Sequence, residues 1–502
     1  MAYPLITVFL FLFASNTAHA GDLDTRINEF LTPISNAISS FVFYTVPVSG
    51  TEFPLVLGWL ILASVIFTFY FGFIQLRSWR HSWHLVRGHY SGHANTPGET
   101  SHFQALTMAL SGTVGLGNIA GVAVAISIGG AGATFWMILA GFLGMATKFT
   151  ECTLALKYRI YHADGSISGG PFMYLSQGLA DLGLKRTGKV LAVIFSICCI
   201  GGSIGAGNMF QANQAYQQVL NVTGGSESFL ADKAWLFGLV LAIFIGMVII
   251  GGVQSIARAT SRIVPFMVVV YVTTCLFVIL SHFSSIPWAF GQIIEGAFTG
   301  EGVAGGVVGV LIQGFKRAAF SNEAGLGSAP IAHATARTKE PIAEGYVALL
   351  EPFIDTVIIC TMTALAIIIT GRLDNDTLTG VALTSDAFAS VIPWFPYVLA
   401  VSVVLFAFST SLAWFYYGLK SITYLVGKHP SVDMGFKLFF CACAVIGASM
   451  SLGPVIDFSD AMIFMMTIPN VIGLYLLMPI VKRELSDYRQ RLKDGEIARS
   501  PK

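Results

Sequence analysis

What limits the fold of this chain most is a recurring stretch of apolar residues about as long as a bilayer is thick. A helix that crosses a membrane needs about 20 mainly apolar residues. Beyond residue 50, stretches of that kind centre near residues 65, 115, 142, 205, 243, 273, 311, 357, 402, 443 and 468, eleven in all. Only 11% of the 502 residues are charged, against about a quarter in a soluble domain. The pattern predicts an all-α membrane protein with 11 transmembrane helices, no compositional linker and no second soluble domain. The net charge of +1 points to no class of partner, and no basic run suggests nucleic acid. The cysteines, at 152, 198, 199, 275, 360, 441 and 443, all fall inside apolar stretches. That is how small buried hydrophobes are used, not a disulfide framework or a CxxC metal site.

The beginning of the chain reads differently. The stretch PLITVFLFLFASNTAHA ends in Ala18-His19-Ala20, the small-x-small pattern of a signal-peptidase site, so residues 1–20 read as a signal peptide although no Lys or Arg precedes the apolar part. Lys and Arg set the orientation of the rest. RSWRHSWHLVR, KYR, LKRTGK, RATSR and KRELSDYRQRLK fall on one side, and only Arg26, Lys233 and Arg372 on the other. The expectation is a multi-pass protein of the cell (inner) membrane, surrounded by lipid, with an extracytoplasmic mature N-terminus and a cytoplasmic C-terminus.

Two of the apolar stretches are interrupted. Taking the first as accessory and numbering the others as segments 1 to 10, segment 1 contains SGTVGLGNIAG, residues 111–121. Gly112, Gly115, Gly117, Asn118 and Gly121 there weaken a helix, each glycine by up to about 1 kcal/mol. Segment 6, GGVVGVLIQGFKRAAFSNEAGLG, carries Gly314, Lys316 and Arg317 where lipid-facing apolar residues belong. Breaks in corresponding segments of two five-helix halves point to an inverted-repeat transporter. Residues 21–50 then form an extracytoplasmic amphipathic segment and 51–90 an accessory helix with its cytoplasmic loop. Residues 101–285 and 286–485 are the two repeats, and 486–502 a cytoplasmic tail. Unwound backbone cannot face lipid without a cost of several kcal/mol per group. It is tolerated where it lines a cavity, its amides suiting a carboxylate and its carbonyls a small cation. Gly115 to Ala120 also fits GxGxxA, but it follows an apolar helix instead of a strand, and no acid occurs before Glu151, which argues against a dinucleotide site. Gly117 and Gly121 also fit a small-xxx-small packing face, which is compatible with binding.

Several long motifs carry a resemblance: SGTVGLGNIAGVAVAISIGGAGATFWM, GMATKFTE, GGSIGAGNMFQANQ, FSNEAGLGSAP, EPFIDT and FSTSLAWFYYG. Together, from about residue 50 to 485, the chain resembles the alanine or glycine:sodium symporter family. The resemblance implies a LeuT-type fold, a 5+5 inverted repeat with broken helices 1 and 6 plus one extra N-terminal helix. It implies co-transport of Na+ with a small neutral amino acid such as alanine, glycine, D-alanine or serine. By the same resemblance the carbonyls of Ser111 and Val114, with the hydroxyls of Ser409 and Thr410, are the Na+ ligands; oxygen donors of this type suit a hard cation. The alternative for those hydroxyls is back-bonding to carbonyls of their own helix. The substrate carboxylate is expected at the amides of Gly115, Leu116 and Gly117 beside Thr113. Asn208, Phe210 and Gln211 of segment 3, Gly314 and Phe315 of segment 6, and Trp414 of segment 8 complete the expected pocket. Phe210 and Trp414 also fit ordinary helix packing.

Charged residues inside segments have functional readings by default. Lys148 and Glu151 lie three apart and Glu351 and Asp355 four apart, spacings that place side chains together on a helix. With Lys316, Arg317 and Glu323, they are expected towards the cytoplasmic ends as an inner ion-pair network and not as the ion-coupling site. No HExxH, GxSxG or His/Asp cluster marks an enzyme. A channel would favour a ring or repeated filter over two unequal breaks. Secondary symport remains the leading reading, with H+ coupling or a glutamine-type substrate as alternatives and no obligatory protein partner.

Overall fold

The computed structural model describes residues 32–33, 35–48, 50–90, 97–300, 303–373 and 378–497. The signal-peptide reading of residues 1–20 lies outside them. An antiparallel hairpin, Thr45–Val48 with Thr51–Pro54, leads into the accessory helix Leu55–Tyr70. Segment 1 forms His102–Thr113 and Gly117–Gly129, bent by 50° at the break. Segments 2 to 5 are Ala133–Lys157, Lys185–Val222, Ala234–Ile249 and Gly252–Ser281. Segment 6 comprises Gly306–Asn322 and Ala329–His333. Segments 7 to 10 are Pro341–Ile369, Phe395–Val426, Pro430–Ser449 and Leu452–Lys493. Every apolar centre found in the sequence lies in a helix except the one near residue 115, which falls in the break of segment 1. Among the described residues, seven helices are long and apolar enough to cross a membrane alone, and eight when the bent pair counts as one. Leu55–Tyr70 and Ala234–Ile249 have 16 residues each and Gly306–Asn322 has 17, so they fall short by length.

Local chemistry explains where segment 1 starts and stops. The Ser101 side chain accepts the Gln104 amide while the Gln104 side chain accepts the Ser101 amide, a capping box that satisfies two otherwise orphaned donors. The helix ends at Val114, whose backbone is extended, and resumes with a wide π-type turn over Gly117–Gly121. Segment 6 does not break where the sequence suggested. It runs unbroken through Gly314, Lys316 and Arg317 to Asn322. It then turns through Glu323, Gly325 and Gly327, with φ of 56°, 88° and 85°. Gly314 serves close packing instead: a Cβ there would come within 2.5 Å of Trp136 Cβ and 2.6 Å of the Ala133 carbonyl in segment 2.

Segment 8 packs on segments 1, 3 and 5, while segment 2 packs on segments 6 and 7 and on the accessory helix. The two breaks thus lie between two packed groups. Large apolar side chains such as Phe69, Phe244, Val269 and Leu438 face outward. Asn118, Lys148, Glu151, Glu351 and Asp355 are fully buried. Polar inside and apolar outside is the arrangement that lipid demands.

Candidate binding site at the two breaks

Where segment 1 stops, its last carbonyls lose their helical partners. Among the described residues, no amide donates to the carbonyls of Ser111, Gly112, Thr113 or Val114. The Gly115 N–H donates to Asn118 Oδ1 at 2.8 Å, and the Leu116 N–H donates to Gln211 Oε1 at 3.3 Å. The Gly117 N–H has no acceptor among the described residues. Of the three expected carboxylate amides, two are therefore held by side chains that fix the break, and one is free.

Facing the break is segment 8. Ser111 Oγ donates to the Ser409 carbonyl at 2.6 Å, stitching the two segments together. Ser409 Oγ donates to the Phe406 carbonyl of its own helix at 3.1 Å. Thr410 Oγ1, in contrast, is buried without a partner. A Cβ on Gly115 would lie 2.6 Å from this oxygen, so glycine is what lets the hydroxyl approach the broken backbone. Buried polar groups are nearly always satisfied, and Thr410 Oγ1 is one of the buried hydroxyls here that are not.

A small cavity opens beside the break, enclosing at most about 250 Å³. Its walls are Gly112, Thr113, Gly117, Ala206, Gln211, Phe320, Glu323, Trp414 and Ile463. Of the residues expected around the substrate, Thr113, Gly117, Gln211 and Trp414 meet here. Phe210 stands one layer back, its ring edge-on to Phe320 at 5.2 Å. Asn208 points elsewhere, donating to the Phe440 carbonyl at 2.5 Å. Gly314 and Phe315 do not reach the cavity either; Phe315 lines a separate hollow with Leu60, Ser64 and Ala140. Phe320 and Glu323 occupy the segment-6 wall instead, because the break falls near them.

The charged residues form three distinct groups. Lys148 reaches across to Glu351 at 3.3 Å instead of pairing with Glu151 on its own helix. Glu151 accepts from Asn470 at 2.5 Å. His333 bonds Glu344 at 2.6 Å, and His102 bonds the other oxygen of the same carboxylate. Lys316 and Arg317 stand apart from that network: both pair with Asp460 near the start of segment 10, Lys316 at 3.0 Å. Asp355 belongs to the first break, accepting from Asn118 Nδ2 at 2.6 Å, Ser321 Oγ at 2.6 Å and Thr356 Oγ1 at 2.7 Å. Apart from Asp355–Thr356, these contacts join residues on different helices, and that is why spacing along one helix could not find them.

A helical membrane bundle with a small cavity beside two broken helices has the architecture of a transporter. The profile described as the sodium:alanine symporter family matches residues 37–501, and the chain belongs to that family. The sodium/alanine symporter AgcS of Methanococcus maripaludis is 39% identical over 465 residues, covering 91% of this chain and 97% of its own length. The probable sodium/glutamine symporter GlnT of Bacillus subtilis is 33% identical, covering 86% of this chain and 87% of its own. Among solved structures, MhsT in complex with L-phenylalanine is similar at 14% identity and a TM-score of 0.49, over 76% of this chain and 98% of that one.

Proposed function

We propose that this chain imports a small neutral amino acid, alanine or glycine, together with Na+, by alternating access across the cell membrane. In this reading Na+ binds between the carbonyls of Ser111 and Val114 and the hydroxyl of Thr410, with Ser409 at the edge of the site. The amino acid occupies the adjoining cavity, its carboxylate at the Gly117 amide. The observation that carries the ion site is the buried, unpartnered Thr410 Oγ1 against Gly115, which follows the carbonyls without amide donors in the chain. Phe320, Trp414 and Ile463 give the small cavity an apolar wall, which suits a short apolar side chain. The two five-helix repeats, 101–285 and 286–485, would rock about the two breaks. The Lys and Arg distribution supports an extracytoplasmic mature N-terminus and a cytoplasmic C-terminus. A membrane potential supplies about 2.3 kcal/mol per charge per 100 mV, enough for a gradient of about 50-fold from one Na+.

Proteoliposomes test this reading. Labelled alanine should accumulate under an imposed Na+ gradient and not under K+, Li+ or pH gradients. Accumulation driven by a pH gradient alone would contradict Na+ coupling, and a non-saturating current would contradict a carrier.

A further inference from the structure

We propose that Glu323 is the receptor for the α-ammonium group of the transported amino acid; the assignment rests on the symport reading above. Glu323 ends the long helix of segment 6 in the left-handed region, with φ of 56°. Phe73 is the one other non-glycine residue with positive φ among those described. A β-carbon is disfavoured in that conformation, and strain of this kind collects at functional sites. Here it keeps an ionisable side chain, only 2% exposed, in the cavity wall.

The carboxylate has two neutral donors. Trp414 Nε1 donates to Oε1 at 3.0 Å, and the Ser328 hydroxyl donates to Oε2. A carboxylate offers about four acceptor sites, so both oxygens keep capacity for a ligand. The buried cations on adjoining segments are committed elsewhere, Lys148 to Glu351 and Arg317 to Asp460. Lys148 acts on Glu323 only through space and makes no direct bond to it, so among the described residues no cation touches this buried carboxylate, and the cavity is where one can arrive.

The chemistry of the arriving cation follows from the rest of the wall. Na+ seeks six or so oxygens, whereas Glu323 is flanked by the Trp414 indole N–H and aromatic carbon. The free Gly117 amide lines the same cavity. One positive and one negative receptor in a cavity this small match a zwitterion, with carboxylate at Gly117 and ammonium at Glu323. Glu323 thereby selects α-amino acids over monocarboxylates of the same size, such as lactate.

The test uses the whole protein in detergent with saturating Na+, and measures competition by L-alanine and by L-lactate against labelled alanine. Glu323→Gln keeps the volume and removes the charge. Alanine affinity should fall by about 30-fold or more, down to the level of lactate, while binding of labelled Na+ without amino acid and the thermal midpoint stay as in the wild type. Unchanged alanine affinity, or a preserved preference over lactate, would overturn the assignment. If Glu323→Gln does not fold, Glu323→Asp takes its place: the shorter acid should bind alanine more weakly yet still prefer it to lactate, and loss of that preference overturns the assignment. Wild-type protein that binds no alanine in Na+ contradicts the symport reading itself, which separates the two failures.

Discussion

The glycines that break segment 1 keep negative φ, whereas segment 6 turns through Glu323, Gly325 and Gly327, all at positive φ. The two sets of glycines therefore answer different needs. Gly115 is present for space, because a Cβ would meet Thr410 Oγ1 at 2.6 Å. Gly117 is looser, with Phe320 Cδ1 at 3.3 Å from its virtual Cβ. Gly325 and Gly327 are present for backbone conformation, which a side chain resists wherever it points. Breaks that look alike in a sequence thus separate into one that admits a ligand and one that shapes the wall around it.

Alanine substitutions should expose this division. The largest effect is expected at Gly327, where a methyl meets both positive φ and the Pro171 and Phe195 side chains at 2.6 and 2.9 Å. Gly327→Ala should cost about 3 kcal/mol of stability, seen as a lowered thermal midpoint and poor recovery from the membrane. Lost binding at an unaltered midpoint would make Gly327 a site residue instead. Gly115→Ala should do the reverse: Na+ and alanine affinities both fall by about 30-fold, measured by calorimetry, with the midpoint close to wild type. A stable, fully binding Gly115→Ala protein would remove the reason for placing the ion beside Thr410.

Smaller effects sharpen the boundary of the site. Gly314→Ala forces a methyl against Trp136 and should cost about 1–3 kcal/mol in overpacking without changing alanine affinity. Reduced affinity at full stability would return Gly314 to the pocket. Asn208→Ala removes the bond to the Phe440 carbonyl and should lower stability by about 1 kcal/mol, again at unchanged affinity.

How much of this was legible in the sequence differs between the same two breaks. GLGN announces itself as glycines inside an apolar run, and its position held. The break in segment 6 lies about ten residues beyond the anomaly that first drew attention. Gly314, Lys316 and Arg317 are anomalous for another reason: they meet Trp136 and Asp460 across helix interfaces. The real break, EAGLG, has glycines at alternate positions, the spacing at which positive φ recurs here, and that was the available signal. Glu323 was noticed only as a charge, because its partner Trp414 lies 91 residues away. Asn208 was selected as a polar residue in an apolar helix, yet its amide N–H donates to the distant Phe440 carbonyl. Thr113, Gly117, Gln211 and Trp414 line one cavity, since broken backbone and its nearest facing helices leave few other places for them.

The central claim, that the first break holds the ion, is tested most directly by the Na+ dependence of alanine uptake in Thr410→Ala and Ser409→Ala proteins. Thr410 Oγ1 is unpartnered, while Ser409 Oγ already bonds the Phe406 carbonyl. Thr410→Ala should therefore raise the half-saturating Na+ concentration by about tenfold or more, as loss of one oxygen from a site of about six implies, and Ser409→Ala should raise it much less. Equal Na+ dependence in wild type and Thr410→Ala, with both proteins folded, would contradict the account.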